Sequence, residues 1–245
     1  MKPLTVALTV IALATTLAPA AANAQQSGTA KGPQVGIARN VYFDLPSGLT
    51  KEEFTELTAE IGSLLRFRQL GDSMTLGRGK FDIGTQFATS PIEGGRETWT
   101  AVGRYGVSDR VDIGAWGGYN TGLNYGLVGG EARIALLREG ASSPVSLLLR
   151  PSVTSLVGPS EVWAANASID FSVSRALGPI APFAGVATTG TLAIERSNDV
   201  SLDPATANGS IAYTGLSYVW RSVAVSAEVE KGRHVTYAFR LGTRF

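Results

Sequence analysis

Twelve charged residues occupy alternate positions in segments that otherwise alternate between apolar and small polar residues. In an extended strand, this spacing places the charges on one face and the apolar residues on the other. The acids are Asp82, Asp112, Glu131, Asp170, Glu228 and Glu230, and the arginines are Arg104, Arg110, Arg133, Arg150, Arg240 and Arg244. If the charged face lines a narrow interior, unpaired charges there are costly. The equal numbers of acids and arginines therefore predict that these side chains form salt bridges with one another. An ion-selective pore would more often carry an excess of one sign. The alternative is a narrow channel for small solutes.

Two other groups of residues have types that could do chemistry. Asn198, Asp199 and Asp203 could offer oxygen ligands to calcium, but they lack the spacing of a calcium loop. The run Gly77-Arg78-Gly79 is too short to cradle a phosphate, and its position before a strand indicates a turn. We therefore expect no metal, no cofactor and no catalytic residue.

The elements that hold the twelve charges are predicted to be strands. From residue 77 onward, segments of ten to fifteen residues alternate in polarity between turn-forming residues. The sequence predicts ten strands, within a range of eight to twelve. They are residues 80–89, 97–107, 110–120, 125–137, 145–154, 162–175, 181–194, 211–219, 223–230 and 235–245.

The last strand alternates most regularly. Its apolar face carries Val235, Tyr237, Phe239, Leu241 and Phe245, and the chain stops on that last aromatic residue. This ending resembles the closing strand of bacterial outer-membrane β-barrels. The resemblance implies an antiparallel transmembrane barrel over residues 75–245, inserted in outer-membrane lipid. It also implies that Tyr237, Phe239, Leu241 and Phe245 form the signal read by the barrel-assembly machinery.

The competing fold is a secreted β-sandwich, whose strands also alternate. A sandwich would expose its polar face to solvent, whereas here that face is rich in glycine, serine and charges of both signs. The N-terminus agrees with export, because residues 1–24 have the basic start, apolar run and small-residue cleavage site of a signal peptide. Residues 25–48 are predicted to be a flexible segment, with a possible strand at residues 34–45.

After residue 49, the apolar residues recur at the spacing of a helix. Thr50 and Glu53 are spaced as a capping box, and Leu49 and Phe54 as a hydrophobic staple. A lumen filled by side chains leaves little room for a helix, so we expect residues 49–70 to contain a periplasmic helix, at the barrel mouth or against the membrane interface. The rival interpretation makes residues 64–70 a first strand.

Composition narrows the possible partners. Without the signal peptide, the chain carries 20 basic and 20 acidic residues, which argues against nucleic acid. Cysteine is absent, which excludes disulfides and thiolate metal sites.

The predicted topology places the C-terminus and the shorter turns in the periplasm. Residues 195–209 then form the longest outer loop, and His234, the only histidine, lies at the outer rim. Omptin proteases combine a rim histidine with acidic residues, but no paired acidic motif accompanies this one. The preferred function is a structural barrel or narrow passive pore without catalysis. The alternatives are an omptin-like hydrolase and an adhesion or ligand-binding barrel acting through residues 195–209.

Overall fold

The computed structural model describes residues 49–90, 96–121, 125–158, 161–196 and 202–245. They form one helix, α1 (Lys51–Leu65), and ten strands. The strands are β1 (Phe81–Ser90), β2 (Arg96–Gly106), β3 (Val111–Asn120), β4 (Tyr125–Leu137), β5 (Ser146–Val157), β6 (Val162–Ser174), β7 (Ile180–Glu195), β8 (Ala205–Trp220), β9 (Val223–Lys231) and β10 (Val235–Arg244). The predicted signal peptide, the strand at residues 34–45, Asn198 and Asp199 lie outside the described residues.

The ten strands form a closed antiparallel barrel. Each strand pairs with the next along the chain, and β1 pairs with β10 to complete the wall. The closure continues one residue past β10, because Phe81 and Phe245 exchange backbone N–H···O bonds of 2.7 and 2.9 Å. The predicted antiparallel barrel of ten strands is confirmed, and the sandwich interpretation is wrong, since a single sheet closes on itself.

The outward face of the barrel is apolar and exposed. Val186, Trp220 and Phe239 are each more than half exposed, and every strand contributes residues of this kind or small ones. A water-soluble domain rarely presents so continuous an apolar surface, whereas a barrel in lipid requires one. No helix among the described residues is long and apolar enough to cross a membrane.

The two ends of the barrel differ. At the "turn end", short connections join β2 to β3, β4 to β5, β6 to β7 and β8 to β9, and the C-terminus lies there too. The "loop end" carries the other five connections. β8 begins at Ala205, earlier than predicted, so residues 205–209 belong to a strand and not to a loop. Thr206, Asn208 and Ser210 face outward on this part of β8, and their polarity concealed the strand.

The location predicted for the helix is wrong. α1 packs inside the lumen against β5, β6, β7 and β8, and its buried residues share a cluster with Leu156, Val162 and Ala193 at the loop end. That end is opposite the C-terminus, and the wall residues that pack with the helix there are apolar. The helix stops at Leu65, and residues 66–70 form neither the predicted continuation of the helix nor a strand.

Candidate functional site: a filled lumen

The start of α1 is fixed by its cap. The N–H of Glu53 donates to the Thr50 hydroxyl (3.2 Å), and the Glu53 carboxylate accepts the N–H of Thr50 (2.9 Å), so the predicted capping box is confirmed. The backbone and hydroxyl hydrogen bonds from Thr50 hold the pKa of Glu53 below its usual range. Leu49 and Phe54, the predicted staple pair, are both buried in one cluster.

The loop end of the lumen is filled by an apolar layer centred on α1. Phe54 and Ile61 are fully buried, and they pack with inward residues of seven strands. These are Val102, Trp116, Tyr125, Leu127, Leu156, Val162, Ala164, Ala193 and Ala205. Helix and wall approach closely at Gly62, where an added Cβ would lie 2.1 Å from the Thr191 hydroxyl oxygen. We call this arrangement the apolar layer.

Below the helix, residues 66–74 run through the centre of the barrel, and we call them the lumenal segment. Residues 66–73 are buried, and Leu70, Asp72 and Ser73 have no exposed surface. The segment meets the apolar layer at Phe67, whose ring stacks on Trp116 with centroids 3.6 Å apart and planes at 5°. A chain in the middle of a water-filled pore would be exposed, so this part of the lumen is filled with protein.

Because the lumenal segment has no regular structure, its backbone needs hydrogen-bond partners from the wall. Arginines supply donors to its carbonyl groups: Arg150 to Phe67 (3.0 Å), Arg104 to Gln69 (3.2 Å), and Arg133 to Asp72 (2.8 Å) and Met74 (3.0 Å). The carboxylate of Glu228 accepts the N–H of Leu70 at 3.2 Å. The wall thus binds the segment by its backbone as well as by its side chains.

The segment leaves the barrel at the turn end. Gly77 adopts a φ of +89° and its carbonyl accepts the N–H of Lys80, which confirms the predicted turn before β1. The turn lies very close to the end of β2, because an added Cβ on Gly106 would lie 1.9 Å from the carbonyl oxygen of Gly77. This turn connects the lumenal segment directly to the first strand of the wall.

Eleven of the twelve charged residues predicted to face the lumen do so: ten are buried, and the half-buried Arg244 pairs with Asp72 and Asp82. The exception is Arg110, which lies exposed in the turn between β2 and β3, because the strand begins one residue later than predicted. The lumenal segment adds three charges that the strand pattern did not include, Arg66, Arg68 and Asp72, all buried. With them, the interior holds seven arginines and seven acids among the residues that the structure describes.

The ion pairs link the segment and the wall into one network. Asp170 lies 3.1 Å from Arg66 and 2.9 Å from Arg150, so one carboxylate joins the segment to β5. Glu230 lies 2.9 Å from Arg68 and 3.3 Å from Arg66. Further pairs are Glu131 with Arg104 (2.6 Å) and Arg150 (3.1 Å), Asp112 with Arg133 (3.2 Å), Asp72 with Arg244 (3.1 Å), and Asp82 with Arg240 and with Arg244 (3.2 Å).

His234 lies in the connection between β9 and β10 and contacts the helix. Its Nε2 is 3.0 Å from a carboxylate oxygen of Glu60, and Arg233 donates to that same oxygen at 2.6 Å and to Glu56. The hydrogen bond to Glu60 raises the pKa of Arg233. These contacts hold α1 from the side opposite its buried face. Within the described ranges, no three His, Asp or Glu side chains are arranged to hold a metal ion.

A sequence signal for the filled lumen existed. Residues 64–68 alternate apolar residues with arginines, and this alternation fits a chain that crosses a charged lumen as well as it fits a strand. The second signal lies in the strands themselves. Near the loop end, both faces are apolar or small, as at residues 162–165, which indicates an apolar partner inside the barrel.

A closed antiparallel barrel with an even number of strands, an apolar outer band and a polar interior defines the class of bacterial outer-membrane β-barrel proteins. Tyr237, Phe239 and Leu241 lie exposed on its outer face, as the assembly-signal prediction requires; whether they and Phe245 are recognised stays a prediction.

No protein-family model matches the chain, and no curated protein matches its sequence. Among solved structures, the chain is similar to LpxR from Salmonella typhimurium (7% identity, 69% of this chain and 85% of that one, TM-score 0.38). It is also similar to the Acinetobacter baumannii outer membrane protein Omp33, with 12% identity over 70% of this chain and 100% of that one and a TM-score of 0.35. A third similar structure is the N-terminal β-barrel domain of Pseudomonas aeruginosa OprF, with 13% identity over 69% of this chain and 99% of that one and a TM-score of 0.30. These TM-scores are low, and the assignment to the class rests on the barrel's own geometry and surface.

Proposed function

We propose that this protein is a structural outer-membrane barrel without catalytic activity, whose lumen is closed by its own N-terminal region. The observation that carries the proposal is the complete burial of the lumenal segment at Leu70, Asp72 and Ser73. A passive pore of the kind that the sequence also allowed requires a continuous water path past these residues. The lumenal segment occupies the centre of the lumen, where that path would have to run.

The interior charges favour a closed lumen over an ion-selective channel. Each carboxylate that a channel would present to a passing cation is instead engaged by an arginine or by the backbone of the segment, as Asp170 and Glu228 are. Displacing the segment would separate buried ion pairs, which costs several kcal/mol for each uncompensated charge. The closed state is therefore expected to persist in a resting membrane.

The contacts of His234 also favour a structural role over hydrolysis. Both carboxylate oxygens of Glu60 lie within 3.1 Å of its Nε2, and Glu60 also binds Arg233. The histidine thus takes part in holding the helix to the β9–β10 connection. Substituting His234 by alanine is expected to leave any peptidase activity of the preparation unchanged.

Conductance in planar lipid bilayers tests the proposal. The intact chain is expected to insert without producing current steps, whereas a variant lacking residues 49–74 is expected to conduct. Heat-modifiable migration in detergent gels verifies that each protein forms a barrel. A triple variant, Arg66→Ser, Arg68→Ser and Asp72→Ser, keeps the chain length and serves where the deletion fails to insert; we expect brief current steps from it.

Regular current steps from the intact chain would contradict the proposal and favour the narrow passive pore. Silence from the deletion variant, once its barrel is verified, would also contradict it, because the lumen would then be closed by something other than residues 49–74. The matched control is Arg110→Ser, which removes an exposed arginine and is expected to remain silent.

A further inference from the structure

An open groove of about 500 Å³ lies on the outward face of the wall, across β6, β7, β8 and β9. Its volume lies within the range of about 300–1,000 Å³ that small-molecule sites occupy. Two adjacent rows of cross-strand partners line it. The first row is Phe171, Val186, Ala212 and Lys231, and the second is Ile169, Thr188 and Ser210.

The groove arises from outward side chains of unequal length. Phe171 and Ile169 project from β6 with nearly half of their surface exposed, whereas the outward residues of β8 at the same level are Ala212 and Ser210. Outward partners on neighbouring strands lie about 5 Å apart, so short side chains between longer ones leave a channel along β8. Leu216, which is more than half exposed, ends the run of small outward residues toward the turn end.

The polar side chains of the groove lie toward the loop end. Because β8 runs from the loop end to the turn end, Ser210 and its partner Thr188 lie nearer the loop end than Ala212 does. The next outward residue of β8, Thr214, donates its hydroxyl to the carbonyl of Phe183 at 3.1 Å, so that proton is already used within the wall. The groove thus combines two hydroxyl groups at one end with an apolar surface below them.

Lys231 adds a positive charge beside these hydroxyl groups. It is the last residue of β9 and lies exposed on the outward face, while its neighbour Glu230 points inward to Arg68. A lysine in this position can lay its aliphatic stem along the apolar wall and hold its ammonium group at the membrane interface. An ammonium group at the interface attracts negatively charged lipid head groups.

We propose that this groove binds one anionic phospholipid of the surrounding membrane. The phosphate contacts the ammonium group of Lys231 and accepts hydrogen bonds from the Thr188 and Ser210 hydroxyls, and one acyl chain lies in the groove over Ala212. A free phosphate ion would use the charge but not the apolar surface, so the occupant is a lipid. The site is outside the barrel and does not depend on whether the lumen is closed.

Fluorescence quenching in vesicles tests the proposal, because the chain has no cysteine and accepts a single label. Leu216→Cys carries the fluorophore at the end of the groove, and Val128→Cys carries it on the half-exposed outward face of β4. The vesicles contain phosphatidylglycerol with brominated acyl chains, which quench the fluorophore, in phosphatidylcholine. One lysine is expected to give about a fivefold preference for the anionic lipid, so position 216 should be half-quenched at a much lower fraction of phosphatidylglycerol than position 128.

Three variants of the protein labelled at position 216 separate charge from shape. Lys231→Gln is expected to abolish the preference, and Lys231→Arg is expected to keep it. Ala212→Phe fills the groove and is expected to weaken the preference although the charge remains. Arg221→Gln is the matched control: Arg221 is an exposed cation at the turn end, over the ring of Trp220, and its loss is expected to leave the preference unchanged.

Heat-modifiable migration in detergent gels verifies that each variant is folded. Equal preference at positions 216 and 128 would overturn the proposal, because the wall would then contact bulk lipid alone. An unchanged preference in Lys231→Gln would overturn it as well. Full preference in Ala212→Phe would show that Lys231 attracts anionic lipid without the groove, and the proposed site would be wrong.

Discussion

The lumen contains two layers, and each fills the space inside the barrel with a different kind of contact. At the loop end, α1 fills the barrel through apolar contacts, with Ile61 and Phe54 fully buried. Toward the turn end, the lumenal segment and the wall around it fill the lumen with charged side chains, seven arginines and seven acids among the described residues. The Phe67–Trp116 stack lies where the two layers meet.

The difference follows from the secondary structure of the filling chain. A helix satisfies its own backbone, so the wall around it needs only apolar and small side chains. An irregular chain leaves its N–H and C=O groups free, so the wall around it must carry donors and acceptors. The arginines that bind the carbonyl groups of Phe67, Gln69 and Asp72 meet this requirement.

The largest expected effect comes from removing a buried charge. Asp82→Ala leaves Arg240 without its carboxylate in a fully buried position, so we expect the free energy of unfolding to fall by about 3–5 kcal/mol. Urea unfolding in lipid vesicles, followed by tryptophan fluorescence, measures it. Asp203→Ala is the control, because its pair with Lys51 is exposed and is expected to contribute about 1 kcal/mol or less. Equal losses of unfolding free energy in the two variants would contradict the expectation that the buried ion pair contributes more to stability than the exposed one.

Truncation in the apolar layer is expected to have a somewhat smaller effect. Ile61→Ala creates a cavity between the helix and the wall, and the free energy of unfolding is expected to fall by about 2–5 kcal/mol. The same unfolding experiment measures it, with the exposed Glu52→Ala as control. A loss no greater than that of the control would mean that α1 contributes little to stability and that the charged layer alone closes the barrel.

The contact between α1 and β7 can be tested by overpacking. Gly62→Ala places a Cβ against the Thr191 hydroxyl, and we expect a loss of about 1–3 kcal/mol. Thr191→Ala removes the clashing oxygen, so the double variant is expected to recover part of that loss. Additive losses in the unfolding free energy of the single and double variants would show that the helix does not lie against β7 as described.

The smallest effects concern the helix cap. Thr50→Ala is expected to lower the unfolding free energy by about 1 kcal/mol. Because the pKa of Glu53 is lowered in the folded protein, its stabilising contribution is present above the pKa of the unfolded chain and is lost as the pH falls through the folded value. Unfolding measured across this acidic range should show a weaker pH dependence in Glu53→Gln, and an identical dependence would contradict the role of the cap.

The alternation of residues predicted the wall well. It located all ten strands and placed eleven of twelve charged residues inside, because a strand between lipid and lumen alternates at every position. It missed Arg110 by one residue at a turn and missed the start of β8, where outward residues such as Asn208 are polar.

The filling of the lumen could not be predicted by the same reasoning. Alternation shows which face of a strand is inward but not what the inward face contacts. The helix and its cap were found from local spacing, yet its position depends on contacts with residues far along the chain, such as Thr191 and Val162. The pairing of Arg66 with Asp170 joins residues 104 positions apart, and no periodicity in the sequence reports it.

Water access to the lumenal segment tests the central claim most directly. Ser73→Cys introduces a single thiol at a fully buried position, and Ser142→Cys introduces one at an exposed turn. With a small, charged thiol reagent in folded, vesicle-inserted protein, we expect position 142 to react rapidly and position 73 to react only after unfolding. Equally rapid reaction at both positions would show that water reaches the centre of the barrel and would contradict a closed lumen.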